Sequence, residues 1–176
     1  RKSIFNSGKD KNRYFIISVT IKVKKGELKP PFYRSLQKYI DEHHETDFSP
    51  ANISRMITIV RADKLPDPKV KASSGSFFKN VYLSDQEAEE TRAKGLEVWT
   101  ENGKNLINSG WLIEQAGLKG KEFFGMKVNE KAALVLINEH AKDYSDLAKA
   151  RSYIQEIVKE KFGYMLEQEP MEIPIK

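Results

Sequence analysis

The first clear pattern in the chain is an alternation of apolar side chains with a two-residue period over residues 13–24. The apolar positions on one face are Phe15, Ile17, Val19, Ile21 and Val23. This period is typical of a β-strand with one buried face. Because a single strand cannot bury that face alone, we expect the segment to pair with another part of the protein. The partner is either the chain's own C-terminal segment or polypeptide that precedes Arg1.

Three segments show the period of amphipathic helices. The first lies within residues 33–43. The second begins at Ser49, whose side chain suits an N-cap, and has Pro50 in its first turn. The longest is predicted over residues 145–161 and ends before Gly163, a residue typical of helix C-termini.

Short strands and turns occupy the rest of the chain. The proline-stiffened stretch "KLPDPK", residues 64–69, leads into the serine-rich stretch "KASSGSFFKN", residues 71–80. The patterns further predict a strand over 77–81, a helix capped by Ser84, a turn at Asn102-Gly103 and a buried strand over 133–137. Helices that alternate with short strands favour an α+β domain with a small mixed or antiparallel sheet.

Composition places few limits on function. With 176 residues, 39% hydrophobic and 31% charged, the chain is typical of a globular protein with one compact domain or one domain plus part of a second. No apolar run reaches the roughly 18 residues of a membrane helix. The absence of cysteine excludes disulfides and thiolate metal sites and favours a cytoplasmic location. The net charge of +5 arises from lysines interleaved with glutamates, which favours a solvated surface over a nucleic-acid interface.

The common devices of catalysis and cofactor binding are missing from the sequence. His43, His44 and His140 have no second metal ligand at a familiar spacing, so no metal site is predicted. There is no P-loop, no glycine-rich dinucleotide fingerprint and no nucleophile elbow. On its own, the serine-rich stretch before Phe77 and Phe78 indicates only a loop that leads into a strand.

Five motifs in order carry a resemblance to a known family. They are "KLPDPK", "GSFFKN", "SGWLIEQAGLKG", "KAALVLIN" and "LEQEP", and the opening "RKSIF" adds to them. Over nearly the whole chain they resemble the C-terminal half of the UDP-N-acetylenolpyruvoylglucosamine reductases, flavoenzymes of peptidoglycan synthesis. The resemblance implies that NADPH reduces a bound FAD, and that the reduced flavin passes a hydride to the enolpyruvyl ether of the UDP-sugar.

The resemblance also implies a proton donor, Ser76, which would protonate the neighbouring carbon of the substrate. A serine hydroxyl is a poor acid in water, so this role requires nearby cations or donors that stabilise the alkoxide. Lys64 is the local candidate, and the corresponding lysine of the family lies by the substrate. From the residues alone, Lys64 could equally be a cation that interacts with the C-terminal dipole of its helix.

Three further site residues are implied by the resemblance. Glu169 matches a catalytic glutamate thought to polarise the reacting system, and Glu167 is the alternative if the register differs. Tyr33 matches a tyrosine that closes over the substrate diphosphate in one branch of the family. Asn80 matches a substrate-binding asparagine. Without the resemblance, each of these residues would be interpreted as a surface or capping residue.

Several positions depart from the family pattern and put the UDP pocket in question. Asn129 stands where a histidine is usual, and Ala132 replaces a glutamine that contacts the substrate. The other departures are Val81 and Gln168 for prolines, Leu106 for a lysine that Lys104 is near enough to replace, and residues 123–125 for a glycine pair.

Domain organisation follows from the same resemblance. Residues 28–166 would form the substrate-binding domain, residues 1–27 the C-terminal strand region of an FAD-binding domain, and residues 167–176 a return strand toward it. The FAD-binding half would precede Arg1, so the chain alone is expected to bind neither FAD nor NADPH. The expected partners are that half and UDP-N-acetylglucosamine enolpyruvate, with no nucleic acid and no membrane. The alternative from another class is a divergent, non-catalytic module that binds a UDP-sugar or a protein.

Overall fold

The computed structural model describes residues 4–5, 13–26 and 28–172. These residues form helices α1 (Arg34–His43), α2 (Pro50–Lys64), α3 (Asp85–Ala93), α4 (Ser109–Gln115) and α5 (Tyr144–Phe162), and strands β1 (Ser73–Ser76), β2 (Val81–Leu83), β3 (Trp99–Glu101), β4 (Lys104–Ile107), β5 (Glu122–Phe123), β6 (Met126–Val128) and β7 (Val135–Asn138). The strands build two antiparallel sheets, one in the order β1-β7-β6-β5 and one in the order β2-β4-β3. The predicted α+β class is confirmed. The described strands form two small sheets, where the sequence predicted one.

Local capping residues define the helices at the predicted places. Ser49 accepts a hydrogen bond from the backbone N–H of Asn52 at the start of α2. Ser84 and Glu87 form a capping box at the start of α3, in which each side chain satisfies a backbone N–H of the other. Gly163 ends α5 with a φ of 81°, a left-handed conformation that glycine adopts without steric cost.

The main core lies between the two sheets and helices α4 and α5. Its fully buried members include Phe78, Ile107, Leu112, Ile113, Ile154, Val158 and Leu166. Helix α4 packs closely because it contains Gly110, where an added Cβ would lie 2.9 Å from the side chain of Leu134. The glycine of the "SGW" motif therefore allows the close contact between α4 and Leu134.

Helices α1 and α2 form a helical hairpin with its own small core. The buried residues are Leu36, Ile40, Ile53 and Met56. At one end of the hairpin, Phe32 and Phe48 make an edge-to-face contact with 5.5 Å between ring centroids. The last turn of α2 reaches the four-stranded sheet, where Asn129 Nδ2 donates a hydrogen bond to the carbonyl oxygen of Lys64 over 3.2 Å.

The strand predicted over residues 13–24 is absent. Residues 14–26 carry no regular secondary structure, and Ile17 is 95% exposed. The alternation shows only that the segment could bury one face in a sheet, and a strand also requires a neighbour that supplies hydrogen bonds. Within the described residues, neither the C-terminal segment up to residue 172 nor any other element pairs with it.

The strand predicted over residues 77–81 is also misplaced. Strand β1 ends at Ser76, and residues 77–80 cross from one sheet to the other before β2 begins at Val81. Phe77 and Phe78 are both buried in the main core. Consecutive side chains of an extended chain point to opposite sides, so burial of both requires protein on both sides, which the two sheets provide.

Candidate functional site

The C-terminal segment runs antiparallel to the stretch that follows Ser76. The backbone N–H of Glu169 donates to the carbonyl of Phe77, and that of Lys79 to the carbonyl of Glu167, each over 2.8 Å. Phe78 and Gln168 face each other between these two bonds. The structure therefore brings Ser76 and Glu169 to neighbouring positions on adjacent chain segments, although 93 residues separate them in sequence.

Ser76 lies at the end of a bulged strand. The β1–β7 pair places Ser73 opposite Ile137 and Ser76 opposite Val135, so three steps along β1 match two along β7. Both serines therefore share the sheet face of Val135 and Ile137. The Ser76 hydroxyl is exposed, and no described residue donates to it or accepts from it. It is open to a ligand, and it is the last residue of a polar strand rather than the first of an apolar one.

Lys64 is the last residue of α2. Its ammonium donates to the hydroxyl of Ser35 over 2.6 Å, and its carbonyl accepts from Asn129. Lys64 lines a cleft of about 240 Å³ whose floor includes Ile137, a residue on the same sheet face as Ser76. Within the described residues, the Lys64 ammonium bonds to the Ser35 hydroxyl and makes no hydrogen bond to the Ser76 hydroxyl.

Tyr33 lies at the same end of the helical hairpin as Lys64. It is the N-cap residue of α1, its ring is half exposed, and it makes no side-chain capping bond. Ser35 follows it by two residues, so the bond between Ser35 and Lys64 brings the start of α1 against the end of α2. The structure thus places Tyr33, which the resemblance assigns to the substrate diphosphate, at the same end of the hairpin as Lys64, which it assigns to the substrate.

Asn80 occupies a second cleft, of about 250 Å³, with Tyr82, Glu101, Asn102 and Lys104. Its Oδ1 accepts from the backbone N–H of Ser109 over 3.2 Å. Ser109 is completely buried, and its hydroxyl donates to the carbonyl of Lys79. Sequence reasoning did not single out Ser109, although a small polar residue at the start of a buried helix was a signal. Ser109 holds the backbone of Lys79, the residue before Asn80, through this hydrogen bond.

The two alternative glutamates have different surroundings. Glu167 is exposed and forms an ion pair with Lys79 at the surface. Glu169 is next to Phe77 through its backbone bond and so lies closer to Ser76 along the chain pair. The geometry favours Glu169 over Glu167 as a partner of Ser76.

Three ion pairs surround the 240 Å³ cleft. Asp63 pairs with Lys131, Glu139 with Lys71, and Glu130 with Lys127. Hydrogen bonds from these ammonium groups hold the pKa of each carboxyl below its ordinary value. All three carboxylates are therefore ionised at neutral pH and compensate three of the cleft's lysines.

The described residues also define which metal and cofactor ligands the site can offer. Within residues 4–5, 13–26 and 28–172, no group of three or more His, Asp or Glu side chains could hold a metal ion. No helix in this part of the chain has the length and apolarity required to cross a bilayer. The described loops that join a strand to a helix contain at most one glycine, so they do not form the glycine-rich cradle that binds a dinucleotide diphosphate.

Comparison with known proteins decides the family. The sequence profile of the "UDP-N-acetylenolpyruvoylglucosamine reductase, C-terminal domain" matches residues 67–173. The chain belongs to the UDP-N-acetylenolpyruvoylglucosamine reductase family.

Curated relatives of that name align with nearly the whole chain. The reductase of Alcanivorax borkumensis is 34% identical over 99% of this chain and 50% of its own length. Those of Pseudomonas aeruginosa and Flavobacterium johnsoniae are 31% and 32% identical over 97% and 96% of this chain, and over 50% and 51% of their own lengths. The chain therefore spans about half the length of the curated relatives it matches.

Two departures from the reductase pattern have a structural explanation. Leu106 is 3% exposed and does not line the Asn80 cleft, whereas Lys104 does. Gln168 accepts a hydrogen bond from Arg151 over 2.7 Å and donates one to the carbonyl of Pro170. Its side chain thus ties the C-terminal segment to α5. Nothing in the structure explains Ala132.

The glycine pair usual in the reductases corresponds to a tight turn. Phe124 and Gly125 are the two residues between β5 and β6, and both have positive φ, 52° and 76°. A two-residue hairpin of this kind requires φ above zero at both positions, which glycine adopts most easily. Phe124 occupies such a position here and places its ring 6.3 Å from that of Tyr153, centroid to centroid.

Proposed function

We propose that this chain is the substrate-binding part of a reductase that converts UDP-N-acetylenolpyruvoylglucosamine to UDP-N-acetylmuramate in peptidoglycan synthesis. One observation carries the proposal. The pairing of residues 77–79 with 167–169 joins the two motifs that hold Ser76 and Glu169, in a chain that belongs to the reductase family. The pairing brings the backbones of Ser76 and Glu169 to neighbouring positions, and both residues are exposed.

The proposed reaction adds a hydride and a proton across the enolpyruvyl double bond. FAD, itself reduced by NADPH, supplies the hydride when it is bound. The Ser76 hydroxyl then donates its proton to the neighbouring carbon, and its oxygen becomes an alkoxide that requires stabilisation. Glu169 would polarise the reacting system. The chain spans about half of the relatives' length, and we assign FAD and NADPH to the other half.

The rest of the substrate is assigned to two places. Tyr33 and Lys64 would contact the diphosphate at the end of the helical hairpin, where both side chains are exposed. Asn80, with Lys104, would contact a second part of the substrate. An extended chain rises about 3.3 Å per residue, so Ser76 and Asn80 lie at most about 13 Å apart, within the span of a nucleotide sugar. A cytoplasmic location belongs to the same proposal, since this pathway step uses NADPH.

The substitution Ser76→Ala in the full-length protein tests the proton donor. NADPH should still reduce the flavin at the wild-type rate, because Ser76 takes no part in that step. Reoxidation of the reduced flavin by the substrate should slow by about 10²–10⁴-fold, the usual contribution of a general acid. Stopped-flow absorbance of the flavin measures both half-reactions. Ser74→Ala is the matched control, since Ser74 is an exposed hydroxyl on the same strand.

Equal reoxidation rates in Ser76→Ala and wild type would reject Ser76 as the proton donor. A wild-type protein that binds the UDP-sugar but never reoxidises reduced flavin with it would instead favour the non-catalytic binding module. The first result concerns the Ser76→Ala variant and the second the wild-type protein. The experiment therefore distinguishes a wrong assignment of the proton donor from a wrong proposed function.

A further inference from the structure

Lys64 differs from the other lysines of its cleft in what it contacts. Four lysines line the 240 Å³ cleft, and Lys71, Lys127 and Lys131 each pair with a carboxylate. The ammonium of Lys64 bonds to a neutral hydroxyl, that of Ser35. A neutral partner does not cancel the positive charge. An ammonium has three N–H donors, so two of them remain for a ligand.

The same lysine is held at both of its ends. Ser35 lies in the first turn of α1 and contacts the tip of the side chain. Asn129, which follows β6, is buried and contacts the backbone carbonyl with its Nδ2, while its Oδ1 accepts from the N–H of Lys131. These two residues belong to different units, the helical hairpin and the four-stranded sheet. They therefore fix Lys64 relative to both.

Fixing a lysine in advance favours binding. A free lysine side chain loses rotamer freedom when it is immobilised. When the folded protein already holds the ammonium in place, less of that freedom remains to be lost on ligand binding, and affinity rises. Lys64 is exposed, so without these contacts its ammonium would sample many positions.

We propose that Ser35 and Asn129 are positioning residues that hold the Lys64 ammonium, which forms no ion pair with a carboxylate of the described residues, for an anionic group of the ligand. This inference rests on the proposed function, in which that group is the diphosphate of the UDP-sugar. Neither residue needs to touch the ligand. Ser35 sets where the ammonium lies, and Asn129 sets where α2 ends against the sheet.

Four variants of the full-length protein test this, with the affinity for UDP-N-acetylglucosamine enolpyruvate measured by calorimetry and KM and kcat measured in turnover. Lys64→Ala gives the loss of affinity expected when the ammonium is absent. Ser35→Ala should raise Kd and KM by about 3- to 10-fold with kcat within about twofold, because binding that is equal in ground and transition states changes only KM. Ser35→Thr keeps the hydroxyl and should restore wild-type values. Asn129→Ala removes the Nδ2 donor without adding a charge to the cleft, and should weaken binding like Ser35→Ala.

Ser49→Ala is the control for a merely structural effect. It removes the N-cap of α2 at the opposite end of that helix from Lys64. It should lower the melting temperature of the protein and leave Kd unchanged. If Ser35→Ala leaves Kd within twofold of wild type while Lys64→Ala weakens binding, the positioning role is wrong and the proposed function stands. If Lys64→Ala itself leaves Kd unchanged, the assignment of the diphosphate to Lys64 fails, and the positioning role fails with it.

Discussion

At the scale of single residues, two independent features restrict position 125 to glycine: the backbone conformation and the space around the Cα atom. Its φ is 76°, and an added Cβ would lie 2.3 Å from the backbone nitrogen of Ala141. The carbonyl of Gly125 also accepts hydrogen bonds from the N–H groups of Glu139, His140 and Ala141, over 3.0, 2.9 and 3.1 Å. These bonds hold the backbone of residues 139–141 against the turn, so the contact cannot open without losing them.

We predict that Gly125→Ala destabilises the fold far more than Gly103→Ala. Gly103 has nearly the same φ, 71°, in the β3–β4 turn, but no atom lies within 4 Å of an added Cβ. Gly103→Ala should therefore cost only the left-handed strain, about 1–2 kcal/mol. Gly125→Ala should cost at least about 2 kcal/mol more, because a backbone overlap adds to that strain. Urea denaturation of both variants measures the difference, and equal free energies of unfolding would show that the 139–141 backbone moves freely.

At the scale of elements, the C-terminal segment shows why one departure from the family pattern is tolerated. In its pairing with residues 77–79, the hydrogen bonds use the N–H of Glu169 and the carbonyl of Glu167. Gln168 lies between these bonds, so its own N–H points away from the partner segment. A proline, the usual family residue, fits at position 168 without loss of a ladder bond.

We predict that Gln168→Pro changes the free energy of unfolding by less than about 1 kcal/mol. It loses the side-chain bond with Arg151, and the lower entropy of the unfolded chain offsets part of that loss. Glu169→Pro is the contrasting variant, because it deletes the N–H that donates to Phe77 and leaves that carbonyl without its partner. It should cost at least about 1–3 kcal/mol. Thermal unfolding compares the two, and similar losses would mean that the segment is not paired in this register.

At the scale of the whole molecule, the parts that sequence reasoning predicted are those with local causes. Ser49, Ser84 and Gly163 act within one turn of the helices they begin or end, so a short window of sequence contains their whole effect. The end of β1 was misplaced because it depends on a bulge against β7, about 60 residues later in the chain. The alternation of residues 14–23 was misleading for the same reason, since it indicates a capacity to pair and not a partner.

The candidate site was predictable only in its residue types. The resemblance named Ser76 and Glu169 separately, and only the pairing of residues 77–79 with 167–169 places them together. Lys64 was the candidate cation for Ser76, and its ammonium bonds to Ser35, 29 positions earlier in the chain. Such contacts depend on how the helical hairpin meets the sheet. No motif within either unit contains that information.

The junction between the helical hairpin and the sheet gives a prediction about acid stability. Asp63 at the end of α2 pairs with Lys131 beyond β6, and the pKa of Asp63 lies below its ordinary value of 3.8 because Lys131 donates a hydrogen bond to the ionised form. A carboxyl whose pKa is lower in the folded than in the unfolded state stabilises the fold above the unfolded value. That stabilisation is complete above about pH 5 and disappears as the pH falls through the folded-state pKa, below 3.8.

Asp63→Asn should therefore lower the free energy of unfolding at pH 7, and this effect should shrink as the pH falls through the folded-state pKa of Asp63. The variant's stability should also fall less steeply than that of wild type between pH 5 and the folded-state pKa of Asp63. Urea denaturation across this range measures both curves. Glu89→Gln is the control, since Glu89 is exposed on α3 and forms no ion pair within the described residues. Parallel curves for wild type and Asp63→Asn would show that the Asp63–Lys131 pair does not hold the hairpin against the sheet in solution.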